Sequence, residues 1–253
     1  MRTSCAHLQK KRLDQLLVDS GVAPTRSRAA DLIRRGQVSV AGKPERKPGA
    51  LVAPGVAFAV SPEACAYVSR GGLKLAAALD AFGFDAKGRV ALDLGASTGG
   101  FTEVLIARGA AKVYAVDVGK GQLHAKLRAN PRVIALEGTD ARALDRTLIG
   151  EAVSAIVADV SFIGLGLVLP AALRLAAPGA WLVALVKPQF EAGREAVGKG
   201  GIVRREADRR KAVAKIRKFI GEQPGWGVEG EIASPITGGS GNEEFLIGAR
   251  HGA

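Results

Sequence analysis

Residues 90–101, VALDLGASTGGF, constrain the fold more than any other stretch of this chain. Val90–Leu94 is a short apolar run suited to a buried strand, interrupted only by Asp93. Gly95, Gly99 and Gly100 then space out a turn that leads into a helical pattern over 101–108. Glycine suits such a turn because the backbone bends sharply and a ligand can approach with no Cβ in the way. One strand later comes KVYAVD, residues 112–117. Its acid, Asp117, lies roughly 20 residues beyond the loop, where ribose-binding acids sit in nucleotide folds.

The same residues argue against the common phosphate loops. A dinucleotide fingerprint needs Gly-x-Gly-x-x-Gly, whose second glycine gives a pyrophosphate room at the helix N-terminus. Counting from Gly95, Ser97 takes that second place and Gly100 fills the third. No Gly-Lys-Ser/Thr follows the turn, so a P-loop is absent. An acid just before the first glycine suits a cationic ligand better than a phosphate. S-adenosyl-L-methionine, with a sulfonium, an ammonium and no phosphate, meets that requirement.

Charge points to a polyanionic partner. The chain carries a net +12, and residues 1–61 hold 11 Lys/Arg against 4 Asp/Glu. A quarter of the length therefore carries more than half of the surplus, as a nucleic-acid-binding segment would. A second basic concentration, RREADRRKAVAKIRK (204–218), reads as one face of a helix. Cys5 and Cys65 lack metal-ligand or CxxC spacing, which implies reduced cytoplasmic thiols. The histidines 7, 124 and 251 are scattered, and no metal is implied. The first 20 residues are charged and hold no apolar core, so no secretory signal is expected. Residues 162–186 are long enough to cross a bilayer, with Arg174 their only charge. Pro170 and Pro178-Gly179 instead divide them into a helix, a turn and the strand AWLVALV.

The organisation is two-part. Residues 12–60 offer two short helices, RLDQLLVDSG closing on Gly21 and TRSRAADLIRRG with Thr25 as N-cap and Gly36 at its end. Short strands around a basic turn follow. This gives a small α+β domain over 1–61, a linker over 62–69 and a second domain over 70–253. In the second, a helix over 73–82 precedes strands at 90–94, 112–116, 132–136, 154–158, 181–186, within 227–233 and at 245–249. Helical patterns separate most of them. The expected fold is α/β and Rossmann-like, a seven-stranded, mostly parallel sheet with ligands at the C-terminal strand ends. Asp93, Asp117, Asp159 and Lys187 lie at or near such ends.

The run SRGGLKL (69–75), DLGASTGG (93–100), ADVSF (158–162), VKPQFE (186–191) and GNEEF (241–245), in that order, resembles the TlyA-like proteins. These are ribosomal RNA 2′-O-ribose methyltransferases, sometimes labelled haemolysins, with an FtsJ-like catalytic domain. Residues 12–60 likewise resemble the small RNA-binding domain named after a small-subunit ribosomal protein. The resemblance implies a Lys–Asp–Lys–Glu tetrad at Lys74, Asp159, Lys187 and Glu244, with Glu244 preferred to its neighbour Glu243. A strand alternates its faces, so only one of that pair can point into the site.

A ribose 2′-hydroxyl is a poor nucleophile until its proton is removed. Lys187 is read as the base and Lys74 as the residue that orients the ribose or stabilises oxyanion charge; the reverse assignment stays open. The two lysines, if adjacent, would depress each other's pKa. For S-adenosyl-L-methionine, Gly95, Ser97 and Gly99 are placed along the methionine moiety, Asp93 at its ammonium, Asp117 on the ribose and Asp140 at the adenine amino group. Arg26, Arg28, Arg34, Arg35 and Lys43 are the expected phosphate contacts of the small domain. The implied partner is ribosomal RNA, in assembled subunits, in the cytoplasm, with no stable membrane partner. A membrane-active haemolysin and a catalytically silent assembly factor are the competing readings.

Overall fold

Hydrophobic periodicity builds the chain into two units, Met1–Ala66 and Tyr67–Ala253. The computed structural model describes residues 10–23, 26–34, 36–61 and 67–252, without the side chains of 27, 28 and 31. Thr25, Arg35, both cysteines, His7 and residues 62–66 of the expected linker lie outside the described residues.

The first unit runs β1 (Lys11–Arg12), α1 (Leu13–Asp19), α2 (Arg26–Arg34), β2 (Val38–Val40), β3 (Lys43–Glu45), β4 (Leu51–Val52) and β5 (Phe58–Val60). Leu13, Leu17, Leu32 and Ile33 recur at helical spacing on α1 and α2 and bury against Val38 and Val52. β2 pairs antiparallel with β3 and with β5, and β1 pairs with β4. One carboxylate, Asp14, is buried in α1. Arg12 at 2.7 Å and Arg26 at 3.3 Å hold it. The Arg12 guanidinium, chiefly, lowers its pKa to about 2.

The second unit runs α3 (Gly71–Phe82), β6 (Val90–Leu94), α4 (Gly100–Ala107), β7 (Lys112–Asp117), α5 (Ala125–Arg128), β8 (Val133–Glu137), α6 (Arg146–Ile149) and β9 (Val153–Ala158). It continues with α7 (Leu165–Leu173), β10 (Ala176–Val186), α8 (Pro188–Glu191), α9 (Glu206–Gly221), β11 (Trp226–Ala233) and β12 (Phe245–His251). The seven strands form one sheet in the order β11-β12-β10-β9-β6-β7-β8. β6 to β10 are parallel, and β12 enters antiparallel between β10 and β11.

Strand alternation gives this sheet two cores. Ala91, Val113, Ala155, Val157, Val183 and Leu185 face α3 and α4. Their neighbours Leu92, Leu94, Val116, Ile156, Ala158 and Leu182 face α7 and α9. Burial on both faces explains why the strands read as near-continuous apolar runs. The result is a three-layer sandwich whose parallel strands all end at one edge.

Two expectations are corrected. Pro170 does not divide the 162–186 stretch, because it sits inside α7. Pro178-Gly179 does not lie outside a strand either, since β10 begins at Ala176 and its pairing with β9 shifts register before Trp181. The basic stretch 204–218 stays largely exposed, Arg204 and Lys211 included, and five of its cations on α9 have carboxylate partners. Arg209, Arg210, Lys215, Arg217 and Lys218 pair with Glu243, Glu206, Glu191, Glu231 and Glu222 at 2.8–3.7 Å.

Leu17→Ala is expected to cost the first unit about 2–5 kcal/mol through a cavity between α1 and α2. Denaturant unfolding combined with amide exchange should place that loss in residues 10–61 and leave the exchange of β6 and β9 unchanged.

Candidate active site

The glycine turn is shaped by close backbone approach. Gly95 has φ +80°, and a Cβ there would stand 2.6 Å from the Asp159 carbonyl oxygen. The N–H groups of Gly95 and Ala96 both donate to the Val116 carbonyl, at 2.9 and 3.0 Å. Ser97 takes a positive φ of 48° and donates its N–H to Asp117 Oδ2 at 2.8 Å. The other oxygen of Asp117 accepts the Gly119 N–H at 2.7 Å. These bonds join the ends of β6 and β7 into one wall.

A cleft of about 380 Å³ opens beside it, lined by Gly95, Ser97, Asp117, Asp140, Asp159 and Phe162 among others. Three of its lining residues are carboxylates and none is Lys or Arg. Such a lining offers a phosphate no cation of its own and leaves Asp117, held by backbone N–H groups, to meet a cationic or hydroxyl-bearing ligand. Asp140 belongs to the cleft but is already engaged. It caps the turn 141–143, and its carboxylate is gripped by the Arg142 guanidinium at 2.6–3.0 Å. Arg142 holds its pKa down, to about 2.

Two cofactor residues expected from the sequence do not line the cleft. Gly99, at φ +97°, leads into α4, and a Cβ there would collide with Leu127 and Leu123. Its role is packing beneath the loop. Asp93 is wholly buried in β6. Thr102 Oγ1 donates to its Oδ2 at 2.6 Å, and its Oδ1 has no hydrogen-bond partner. Burial, chiefly, pushes its pKa up to about 7, against the pull of Thr102.

The tetrad residues meet at the C-terminal edge of the sheet as two ion pairs. Lys187 Nζ lies 2.6 Å from Asp159 Oδ1 and donates to Ser161 Oγ at 2.8 Å. Lys74, on α3, pairs with Glu244, and both are buried. The pairing of Val186 with Phe245 sets Lys187 and Glu244 side by side at the strand ends. A Cβ on Gly71, one turn before Lys74, would come within 3.5 Å of Asp159 Oδ2. Each ammonium therefore faces a carboxylate. Glu243 turns away to Arg209 at 3.2 Å.

In the small unit, Lys43 and Arg34 are exposed, while Arg26 is tied to Asp14. The Arg28 side chain and Arg35 lie outside the described residues.

The FtsJ-like methyltransferase family model matches residues 67–251, and the S4 domain model matches 11–57. The chain belongs to the FtsJ-like methyltransferases. It is 46% identical over 96% of its length, and 90% of the relative's, to the 16S/23S rRNA (cytidine-2′-O)-methyltransferase TlyA of Mycobacterium tuberculosis. It is 38% identical to Hemolysin A of Brachyspira hyodysenteriae, over 93% of this chain and 98% of that one. A solved structure from Streptococcus thermophilus, described as a candidate hemolysin, matches with a TM-score of 0.76 and 41% identity, covering 97% of this chain and 90% of that one.

Within this FtsJ-like site, four side chains escaped the sequence reading. Ser161 is the second partner of Lys187, and its position two residues after Asp159 was the available signal. Thr102 anchors Asp93 from one turn inside α4. Glu191 closes VKPQFE, and its Oε1 accepts the Leu165 N–H at 2.7 Å, capping α7. Burial, mainly, raises its pKa. Phe162 carries a positive φ of 64°, is 90% exposed and lies 5.2 Å from the Phe190 ring. Nothing in the pattern of an apolar run distinguishes an exposed phenylalanine from a core one.

Asp93 yields a signed pH prediction. Its folded pKa, about 7, exceeds the ordinary value of 3.8, so between those limits the native state binds more protons than the unfolded one. Stability should therefore fall as pH rises through that window, by at most about 1.4 kcal/mol per pH unit. Unfolding free energies measured across pH for wild type and Asp93→Asn should diverge in that sense, the variant lacking the slope.

Proposed function

We propose that this FtsJ-like methyltransferase transfers a methyl group from S-adenosyl-L-methionine to a ribose 2′-hydroxyl of ribosomal RNA, in assembled subunits and in the cytoplasm. The observation that carries the reading is the Lys187–Asp159 ion pair, whose carboxylate also lines the cleft. A methyl acceptor held by the lysine thereby adjoins a ligand held by the cleft. The names of the TlyA relatives support the same chemistry.

The cleft fits the donor. Gly95 and Ser97 leave room along the loop, and Asp117 has acceptor capacity left for ribose hydroxyls. When bound, S-adenosyl-L-methionine supplies an electrophilic methyl on sulfur. The chain's own residues supply the acceptor side. Lys187 acts as base in its neutral form: once Nζ has given one proton to solvent it takes the hydroxyl proton, and the ammonium so restored is met by Asp159 and Ser161, which also fix its direction. Lys74, held by buried Glu244, aligns the ribose and offsets charge on its oxygen. Phe162, exposed at the rim, offers a face on which an unstacked base can lie.

In the S4 unit, Arg34 and Lys43 supply affinity without sequence information. The Hemolysin A name raises a membrane reading, but no helix among the described residues is long and apolar enough to cross a bilayer.

Incubation with labelled S-adenosyl-L-methionine and separated ribosomal subunits should yield an alkali-resistant 2′-O-methylated dinucleotide. Lys187→Ala should abolish single-turnover methylation while cofactor affinity holds. A rate within a few-fold of wild type would sink the base assignment. Arg34→Glu with Lys43→Glu should weaken RNA binding and flatten its salt dependence, by roughly one unit of slope per lost phosphate contact. Calorimetric titration with the cofactor should show no change in that double variant.

A further inference from the structure

Asn242 is only 1% exposed, and both ends of its amide are engaged. Its Oδ1 accepts the Val203 N–H at 2.9 Å, and its Nδ2 donates to the Gly201 carbonyl at 2.8 Å. Its backbone carbonyl accepts the Gly238 N–H at 2.8 Å. One residue thus joins two separate loops. The first, 198–203, is a turn closed by the Gly198 N–H on the Ile202 carbonyl at 3.0 Å. The second, 234–241, leads into β12.

The second loop converges on the Lys74–Glu244 pair. A Cβ on Gly238 would collide with the Glu244 carboxylate, so the backbone there rests directly against it. The Thr237 carbonyl accepts from Arg70, the residue immediately before α3 and one turn from Lys74. An amide suits this position because it donates and accepts at once and brings no charge beside a buried ion pair. Its loss leaves the buried Val203 N–H without a partner and releases the Gly201 carbonyl of the exposed turn to solvent.

We infer that Asn242 is a positioning residue for methyl transfer, binding the 198–203 and 234–241 loops together so that Glu244 sets where the Lys74 ammonium stands. The inference rests on the RNA methylation reading above and requires no contact between Asn242 and substrate. A residue with this role acts on the rate of the chemical step. It leaves cofactor binding in the cleft beside Asp117 alone, whereas a general structural defect would move both.

Asn242→Ala is expected to slow single-turnover methylation of ribosomal subunits by about 10–100-fold, the scale on which a misplacement of about 1 Å acts. KM for the RNA and the affinity for S-adenosyl-L-methionine should stay within about threefold of wild type. Asn242→Asp keeps the acceptor for Val203 and serves as the second variant if the alanine protein does not fold; the same split is expected. Hydrogen exchange, read without any methyl transfer, should accelerate in 198–203 and 234–241 while β6 and β7 stay protected. An unchanged rate overturns the inference, as does a loss in which cofactor affinity falls as far as rate. Unchanged exchange in the two loops overturns it as well. A wild-type protein that methylates no RNA defeats the functional reading instead, and the exchange measurement still decides whether Asn242 ties the loops.

Discussion

The close approach of two parallel strand ends governs the rest of the site. The Asp159 N–H donates to the Leu94 carbonyl at 2.9 Å, and the next residue along β6, Gly95, has no room for a side chain against the Asp159 carbonyl. One backbone junction therefore carries both the loop that shapes the donor cleft and the carboxylate that pairs with Lys187. Donor and acceptor halves are fixed to each other by main-chain geometry, which varies far less than side-chain rotamers. This is the preorganisation that group transfer demands, since positioning supplies much of the barrier reduction.

Charge is distributed with the same economy. The cleft lining carries three carboxylates, Lys74 and Lys187 are each matched by a carboxylate, and five cations of α9 have a glutamate nearby. Exposed cations stand on both units, Lys43 and Arg34 in the S4 unit and Arg204 and Lys211 in the second. Buried ion pairs gain little net stability; here Lys74–Glu244 and Lys187–Asp159 serve placement.

Much of this was legible beforehand because period and punctuation report on backbone. The seven strands, the glycine turn and Asp117 followed from apolar runs and spacing, and the resemblance placed Lys74, Asp159, Lys187 and Glu244. What stayed hidden depends on three-dimensional partners. Pro170 within α7 was misread because a local breaker was outweighed by burial of Leu165, Val168, Leu169 and Leu173 on the sheet. Asp93 looked like a ligand residue, yet it lies behind the cleft with Thr102. Asn242 was read only as part of a motif, since the bonds to Gly201 and Val203 span some 40 residues of chain.

The place of β12 has a consequence for how the molecule comes into being. It is the last strand in the sequence, yet it inserts between β10 and β11, antiparallel to both, and brings Glu244 to the site from the opposite chain direction. Until that strand is in place, Lys74 has no counter-charge and the edge of β10 is unpaired. The pair joins residues 170 positions apart, so its formation waits on a long-range closure and not on local folding.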